Sequence, residues 1–324
     1  MKAIVINAYG AADVLQLMDI DQPTPKPNQI KVKIQAAGVN PVDWKIRKGM
    51  LKLVTGSRFP RVLGSDLAGE VVECGDQATR FKVGDAIYAF TNPTVGGAYA
   101  EFAVIPEQIA CLKPQNLTFA QAAAAPLAAT TALQALRDQG KLQSGQTVLV
   151  NGAAGGVGLF AIQIAKAMGA TVTGVCSGPK IELVEGLGCD RVIDYTQQDF
   201  TQAPDRYNLI FDAVSKQSFR SCKRILEPNG VYVNTLPSPS GLLQTLLTGL
   251  TPGKKSKFIL VQPNGRDLDY LRSLFESQKL RPIIDRTYPL AETAAAHTYS
   301  ETERATGKLV IVFDGEKSST SALN

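Results

Sequence analysis

Apolar residues follow two rhythms along the 324-residue chain. From Lys2 to about Pro114 they form short β-type runs, KAIVINA, IKVKIQAAGVN, LAGEVVECG, DAIYAF and AYAEFAVIP, set apart by Gly, Pro, Asn and Asp. Runs of this length between turn formers predict an all-β region that folds over on itself like a barrel. From Gln146 onward the runs TVLVNG, TVTGV, DRVIDY, NLIFDAV, GVYVNT and KFILVQ mostly have helix-length segments between them. That alternation predicts a doubly wound parallel sheet, so the chain as a whole is α/β. After VQPNG, two helical stretches and one strand, KLVIVF, remain. They are too few for an ordinary domain and are expected to return to the β-rich part. The expected division is 1–120, 121–262 and 263–324, with the KSSTSALN end read as disordered.

The most apolar long stretch, FAQAAAAPLAATTALQAL from Phe119 to Leu136, is rich in small residues and interrupted by Gln121, Pro126, Thr130, Thr131 and Gln134. This predicts a buried, broken helix rather than a membrane span.

TVLVNGAAGGVGLFAIQIAKAMGA places a strand, a glycine cluster and an amphipathic helix in succession. A dinucleotide needs such an order, a tight turn whose amides face the pyrophosphate and a helix whose positive end points at it. Against the pattern G-x-G-x-x-G the loop reads Ala153, Ala154, Gly155, Gly156, Val157, Gly158. Alanine holds the first glycine place, so the turn must avoid positive φ there. The strand TVTGV then ends in CSGPK, with Ser177 and Lys180 where an NAD enzyme usually carries an acid for the ribose 2′-hydroxyl. A carboxylate about 4 Å from a 2′-phosphate would repel it by roughly 4 kcal/mol at an effective dielectric near 20, and a lysine would attract it similarly. The cofactor expected is NADPH. Lys180 also reads as a solvated first-turn lysine.

Composition narrows the choices. At 44% apolar the chain can bury a large core, and its length favours two domains. The balance of 34 basic and 29 acidic residues is spread without a basic arm, which argues against nucleic acid as a partner. Five widely spaced cysteines read as reduced thiols of a cytosolic protein. His297 is the one histidine, so a Ser-His-Asp relay or a multi-histidine metal site would have to rest on it, and it reads as a structural or surface residue. MKAIVINAYG opens on a strand pattern without a secretory or transit signal, and a chain that is cytoplasmic or already processed is expected. Lys254, Lys255 and Lys257 follow the apolar LLQTLLTGL. An anionic membrane surface would attract each by about 1 kcal/mol; a solvated loop is the plainer reading.

NPVDWKIRKGM, FPRVLGSDLAGEVVECG, FKVGDAIYAF, GGAYAEFAV, GAAGGVG, LGCDRVIDY and RATGKLVIV stand in an order that resembles the zinc-independent medium-chain dehydrogenases/reductases. Within them the chain is most similar to the quinone oxidoreductase branch and its group of plant alkenal/enone reductases and envelope quinone oxidoreductase homologues. The resemblance implies a GroES-like β-rich catalytic domain beside a Rossmann domain, in a homodimer formed by edge pairing of the nucleotide domains. It implies hydride transfer from NADPH to the activated C=C bond of an enal or enone, or to a quinone. Asn40 would donate to the substrate carbonyl, Lys45 would meet that carbonyl or the cofactor, and Asp43 would orient Lys45 or the loop; Asn40-Pro41 also reads as a turn. Tyr195 would lie near the adenosine phosphate or serve as a core aromatic. Arg304, Ala305, Thr235 and Leu236 would reach the cofactor, Phe258, Ile259 and Leu260 would line its nicotinamide end, and Thr130 would touch its nicotinamide half. Gly64-Ser65-Asp66 stands where the zinc-dependent relatives have Gly-His-Glu, so no metal is expected. The alternative is a non-catalytic NADPH-binding protein, crystallin-like or redox-sensing.

Overall fold

The computed structural model describes residues 1–236 and 239–313, so the KSSTSALN end lies outside the described residues. In chain order the strands are β1 (Lys2–Ile6), β2 (Gln16–Asp19), β3 (Gln29–Val39), β4 (Arg61–Val62), β5 (Asp66–Cys74), β6 (Ala86–Phe90), β7 (Phe102–Pro106) and β8 (Ala110–Leu112). They continue with β9 (Thr147–Asn151), β10 (Thr171–Cys176), β11 (Arg191–Asp194), β12 (Tyr207–Asp212), β13 (Leu226–Asn234), β14 (Lys255–Phe258), β15 (Ile284–Pro289) and β16 (Lys308–Val312). The α-helices are α1 (Pro41–Arg47), α2 (Lys52–Thr55), α3 (Phe119–Ala123), α4 (Pro126–Gln134), α5 (Gly156–Ala167), α6 (Ile181–Glu185), α7 (Phe219–Cys222), α8 (Pro239–Gly249), α9 (Gly265–Glu276) and α10 (Thr293–Glu301).

Two compact units result. The first holds Met1–Leu127, Gln262–Gln278 and Pro282–Asn324, the second Ala128–Val261 and Lys279–Arg281. The first runs past the boundary expected at 120 because α3 packs on β3 and β5 and the Leu127 N–H donates to buried Asp66 at 2.7 Å.

In the first unit β15, β16, β3, β5, β6 and β8 lie side by side in that order, with β7 also on β3, and a small sheet runs β2, β1, β4. Alternation on β3 buries Ile30, Val32 and Ile34 together with Val71 and Ile87. β16 pairs antiparallel with β3, setting Leu309 opposite Val39, so the last strand does return to the β-rich sheet. Two elements go beyond the expected pattern. None of β15 is fully buried, so no apolar alternation announces it. Asn40-Pro41 is not a turn but a helix start, with Asn40 as N-cap and Pro41 at the first position, where a missing N–H costs nothing.

The second unit is one sheet in the order β11, β10, β9, β12, β13, β14, parallel throughout. Sequence order reverses on either side of β9, and in such sheets ligands bind beyond the carboxyl ends of the strands at that reversal. The stretch from Phe119 is a broken helix, α3 and α4 interrupted before Pro126, with a π-helical turn over Ala135–Gln139. Among the described residues no helix is long and apolar enough to cross a membrane.

Candidate functional site

The reversal point carries the glycine loop. Gly152 takes the left-handed conformation with φ of 79°, which leaves Ala153 in an ordinary one and explains how alanine is tolerated there. Ala153 and Ala154 are buried. A Cβ on Gly158 would lie 2.1 Å from the Gly152 carbonyl oxygen, so only glycine lets α5 approach β9 this closely. Gly155 is the N-cap of α5 and offers no capping side chain. The first-turn amides of Gly156, Val157 and Gly158 therefore point their positive end outward, a ready seat for an anion. Below the loop Asp212 accepts from the Asn151 amide and the Gln217 N–H, each at 2.8 Å, and from Tyr232 Oη at 2.9 Å. Asp212 and Tyr232 were not singled out from the sequence; the available signal was an acid closing the apolar run NLIFD.

Around this loop the structure gathers the residues expected in the second unit. Ser177 begins the turn that contains Lys180, directly after β10. Tyr195 is 60% exposed, so it is not a core aromatic, and its N–H donates to the Cys176 carbonyl, which sets it beside Ser177. Asp194, in register with Cys176, brings a carboxylate to the turn that sequence order hid. It accepts from the Thr196 N–H and Oγ1 at 2.9 and 2.8 Å and from the Gly178 N–H, and the Thr196 bonds above all hold it below the usual carboxylate range. Ser215, another residue not anticipated, accepts from the N–H groups of Thr235 and Leu236. Phe258, opposite Asn234, leads into buried Ile259 and exposed Leu260.

Thr130 Oγ1 and Asn234 Oδ1 are buried without a hydrogen-bond partner. Orphaned polar atoms of this kind cost about 1–3 kcal/mol until something meets them. The cradle over Gly158, the uncapped α5 amides and these two atoms fit a dinucleotide. Thr130→Val should leave the thermal midpoint of the free protein unchanged or raised while weakening cofactor binding; a fall in stability with unchanged binding would oppose that reading.

The first unit holds Asn40, Asp43, Lys45, Arg304 and Ala305. Asn40 and Asp43 meet in a buried network, and Lys45 does not join it. Asp43 accepts from the Asn40 N–H and from Tyr99 Oη, each at 2.8 Å, so it orders the start of α1 rather than Lys45. Positions two apart do not share a helix face, and Lys45 Nζ instead lies 5.4 Å from the Trp44 ring centroid. The Asn40 amide donates to Asp66 Oδ2 at 2.9 Å and accepts from Lys308 Nζ. Lys308 Nζ is 3.4 Å from the same Asp66 oxygen, with both side chains almost wholly buried. Tyr99 continues the chain to His297 Nε2 at 3.4 Å, and His297 is buried, not on the surface. Arg304 and Ala305 precede β16, Ala305 packing on the core.

Burial pushes Asp43 up to about 7, against the lowering by Asn40 and Tyr99. Between its ordinary 3.8 and about 7 the folded chain holds the extra proton, so this group's stabilisation is complete at low pH and is lost as pH rises to about 7. His297 acts in the opposite sense. Burial, and after it Arg47, pushes it down to about 3 from 6.5, so its stabilisation is complete above 6.5 and is lost as pH falls towards 3. Asp43→Asn should tilt the curve of thermal midpoint against pH upward between about 4 and 7 relative to wild type, and His297→Gln should tilt it downward. Parallel curves would contradict the assignment.

Known proteins match this architecture at every level. A family model described as alcohol dehydrogenase GroES-like domain matches residues 26–115, and one described as zinc-binding dehydrogenase matches residues 187–311. The chain is 35% identical to the chloroplast envelope quinone oxidoreductase homolog of Arabidopsis thaliana, over 96% of this chain and 98% of that one. It belongs to the quinone oxidoreductase branch of the medium-chain dehydrogenases/reductases. The NADPH-dependent alkenal/one oxidoreductase of Arabidopsis thaliana chloroplasts is 38% identical over 96% of this chain and 79% of the relative. The solved quinone oxidoreductase from Coxiella burnetii superposes with a TM-score of 0.88 at 33% identity, covering 96% of this chain and 99% of that one.

Zinc, which one of these descriptions implies, does not fit the donors of this branch member. Among the described residues no three His, Cys, Asp or Glu side chains group to hold a metal. Ser65 stands beside Asp66, and the carboxylate of Asp66 already faces the ammonium of Lys308.

Proposed function

We propose that this quinone oxidoreductase relative is an NADPH-dependent reductase of small electron-poor acceptors, the C=C bond of α,β-unsaturated carbonyls or a quinone. The observation that carries the reading is the uncapped, glycine-cradled start of α5 at the reversal of a parallel sheet, with Ser177, Lys180 and Tyr195 at the end of the neighbouring strand. The α5 amides from Gly156 to Gly158 hold the diphosphate, with Gly155 leaving their approach open, the Ser177 turn holds the 2′-phosphate, and Thr130 with Phe258 to Leu260 serves the nicotinamide end. NADPH, when bound, supplies the hydride. Asp194 stays ionised beside this turn, its charge held by Thr196 and Gly178, and is the negative charge that Lys180 must offset at the 2′-phosphate.

Lys45 polarises the acceptor's carbonyl or fixes the cofactor, and a proton completes the reduction, at the α-carbon of an enal or enone and at oxygen of a quinone. Asn40 and Asp43 act by positioning, since their polar atoms are engaged in the buried network. The chain is further proposed to be cytoplasmic and to form a homodimer through an outer strand of the six-stranded sheet. A thiol-based sensor is disfavoured by the cysteines. Burial pushes Cys176 up to about 11 and Cys111, Cys189 and Cys222 up to about 12, so they remain protonated at neutral pH.

Ser177→Asp should move the ratio of kcat/KM for NADPH over NADH towards NADH by tenfold or more, as expected from about 1.4 kcal/mol per decade. An unchanged ratio would remove Ser177 from the phosphate site. Lys45→Ala that left both the KM for NADPH and turnover intact would remove Lys45 from the mechanism.

A further inference from the structure

Four non-glycine residues among the described ones have positive φ: Lys141, Ser215, Gln278 and Glu303. Three of them close helical turns. Gln278 and Glu303 follow α9 and α10, and Lys141 follows the π-helical turn, where a left-handed residue is the ordinary way to end a helix. Ser215, with φ of 53°, ends no helix. It lies in the turn after β12, at the carboxyl end of the parallel sheet, where glycine would take the same conformation without the Cβ penalty. Strain of this kind persists where the surroundings over-determine it, and it gathers at functional sites. What glycine could not supply here is a hydroxyl.

That hydroxyl is fully engaged. Ser215 Oγ accepts from the Thr235 N–H at 3.2 Å and from the Leu236 N–H at 3.0 Å. Thr235 Oγ1 donates to the Ala213 carbonyl at 3.1 Å, so the Ser215 proton goes to Thr235 Oγ1, 3.0 Å away. Both lone pairs and the proton of Ser215 are thus spent on the first two residues beyond β13. The other side of the same turn meets the glycine loop. The Ala213 N–H donates to the Asn151 carbonyl at 3.1 Å, and a Cβ on Gly152 would stand 2.5 Å from Val214 Cγ1. Residues 213–215 are therefore wedged between the loop that receives the diphosphate and the chain that leaves β13. Within the sheet Tyr232 joins β13 to Asp212; beyond the last register pair, Asp212 with Asn234, the tie is made by Ser215 and Thr235.

We infer that Ser215 is a positioning residue for hydride transfer. Its hydroxyl fixes Thr235 and Leu236 against the glycine loop and so sets the distance between the diphosphate seat and the surface that receives the nicotinamide end. The glycine loop grips the diphosphate; Ser215 decides where the reacting end comes to rest. A misplacement near 1 Å costs about 100-fold in rate, so a side chain that never touches the acceptor can govern turnover. The role rests on the reductase reading of the site.

The test compares Ser215→Gly and Ser215→Ala with wild type in the full chain. The readouts are thermal midpoint, calorimetric affinity for NADPH, and steady-state reduction of a short enal and a quinone with NADPH and with NADPH deuterated at C4. Glycine loses the hydroxyl and the strain together, whereas alanine loses the hydroxyl and keeps the strain, so the alanine variant is expected to unfold at the lower temperature. In both, kcat is expected to fall about tenfold or more, by the same factor despite the different midpoints, with NADPH affinity within about threefold of wild type and an isotope effect at least as large. Full turnover by Ser215→Gly, or a kcat that follows the midpoint, would make the residue merely structural and overturn the inference. Loss of NADPH affinity with kcat retained at saturation would overturn it too, by placing Ser215 in cofactor binding. Wild type that turns over neither acceptor faults the reductase reading and takes the inference with it, an outcome distinct from the others because it appears before any substitution.

Discussion

Gly158→Ala is expected to abolish useful NADPH binding and to destabilise the second unit. The new methyl would meet the Gly152 carbonyl oxygen at 2.1 Å and the Ala153 Cα at 2.9 Å. These are backbone atoms, so α5 itself must move off β9. Overpacking of that kind costs about 1–3 kcal/mol. The larger consequence is for affinity, because the amides that receive the diphosphate move with the helix, and a displacement near 1 Å is worth about 100-fold in a positioned interaction. Gly155→Ala separates the two effects. Its Cβ would find its nearest neighbour, the Gly152 carbonyl oxygen, at 3.4 Å. That variant should fold with an unchanged thermal midpoint yet bind NADPH more weakly, because the methyl occupies the approach to the amides. Calorimetric titration with thermal unfolding distinguishes them; equal affinity in Gly155→Ala and wild type would move the diphosphate elsewhere.

Lys308→Met is expected to cost about 3–5 kcal/mol of stability, the usual consequence of leaving one member of a buried pair without its partner. The methionine removes the cation 3.4 Å from Asp66 Oδ2 and the donor to the Val39 carbonyl and to Asn40 Oδ1, in a place with almost no water. The double variant Lys308→Met/Asp66→Asn should recover most of that loss, since two buried charges removed together are often neutral to stability. Denaturant unfolding of both variants checks this. A single variant within about 0.5 kcal/mol of wild type would show the pair to be incidental. The pair sets an internal ammonium against the Asp66 carboxylate, which engages that carboxylate as an ion-pair partner.

How much of this was legible in the sequence depends on the distance over which each feature is encoded. The glycine loop, its strand and its helix are contiguous, and the six parallel strands announce themselves through apolar runs with helices between, so the second unit could be read directly. The return of β16 to the first sheet was legible in KLVIVF as a strand without a domain of its own. Helix α1 was concealed because Asn-Pro signals a turn as readily as an N-cap followed by a first-turn proline. β15 was concealed because no residue of it is fully buried. The buried network was beyond local reading: Asp66 and Lys308 are 242 positions apart, and Tyr99 and His297 are 198. The only local trace was a charged residue at the start of the buried strand KLVIV. Asp194 shows the same limit in small. It closes a strand some residues beyond Ser177, and only pairing of β10 with β11 brings the two ends together.

The central claim, that NADPH lies on the loop from Gly152 to Gly158 and gives its hydride to an electron-poor acceptor, is tested most directly by steady-state oxidation of NADPH, followed by its nicotinamide absorbance, against a panel of a short enal, an enone and a quinone. Sustained turnover with at least one acceptor, faster with NADPH than with NADH, is the expected result. No turnover with any of them, or equal rates with the two cofactors, would contradict it.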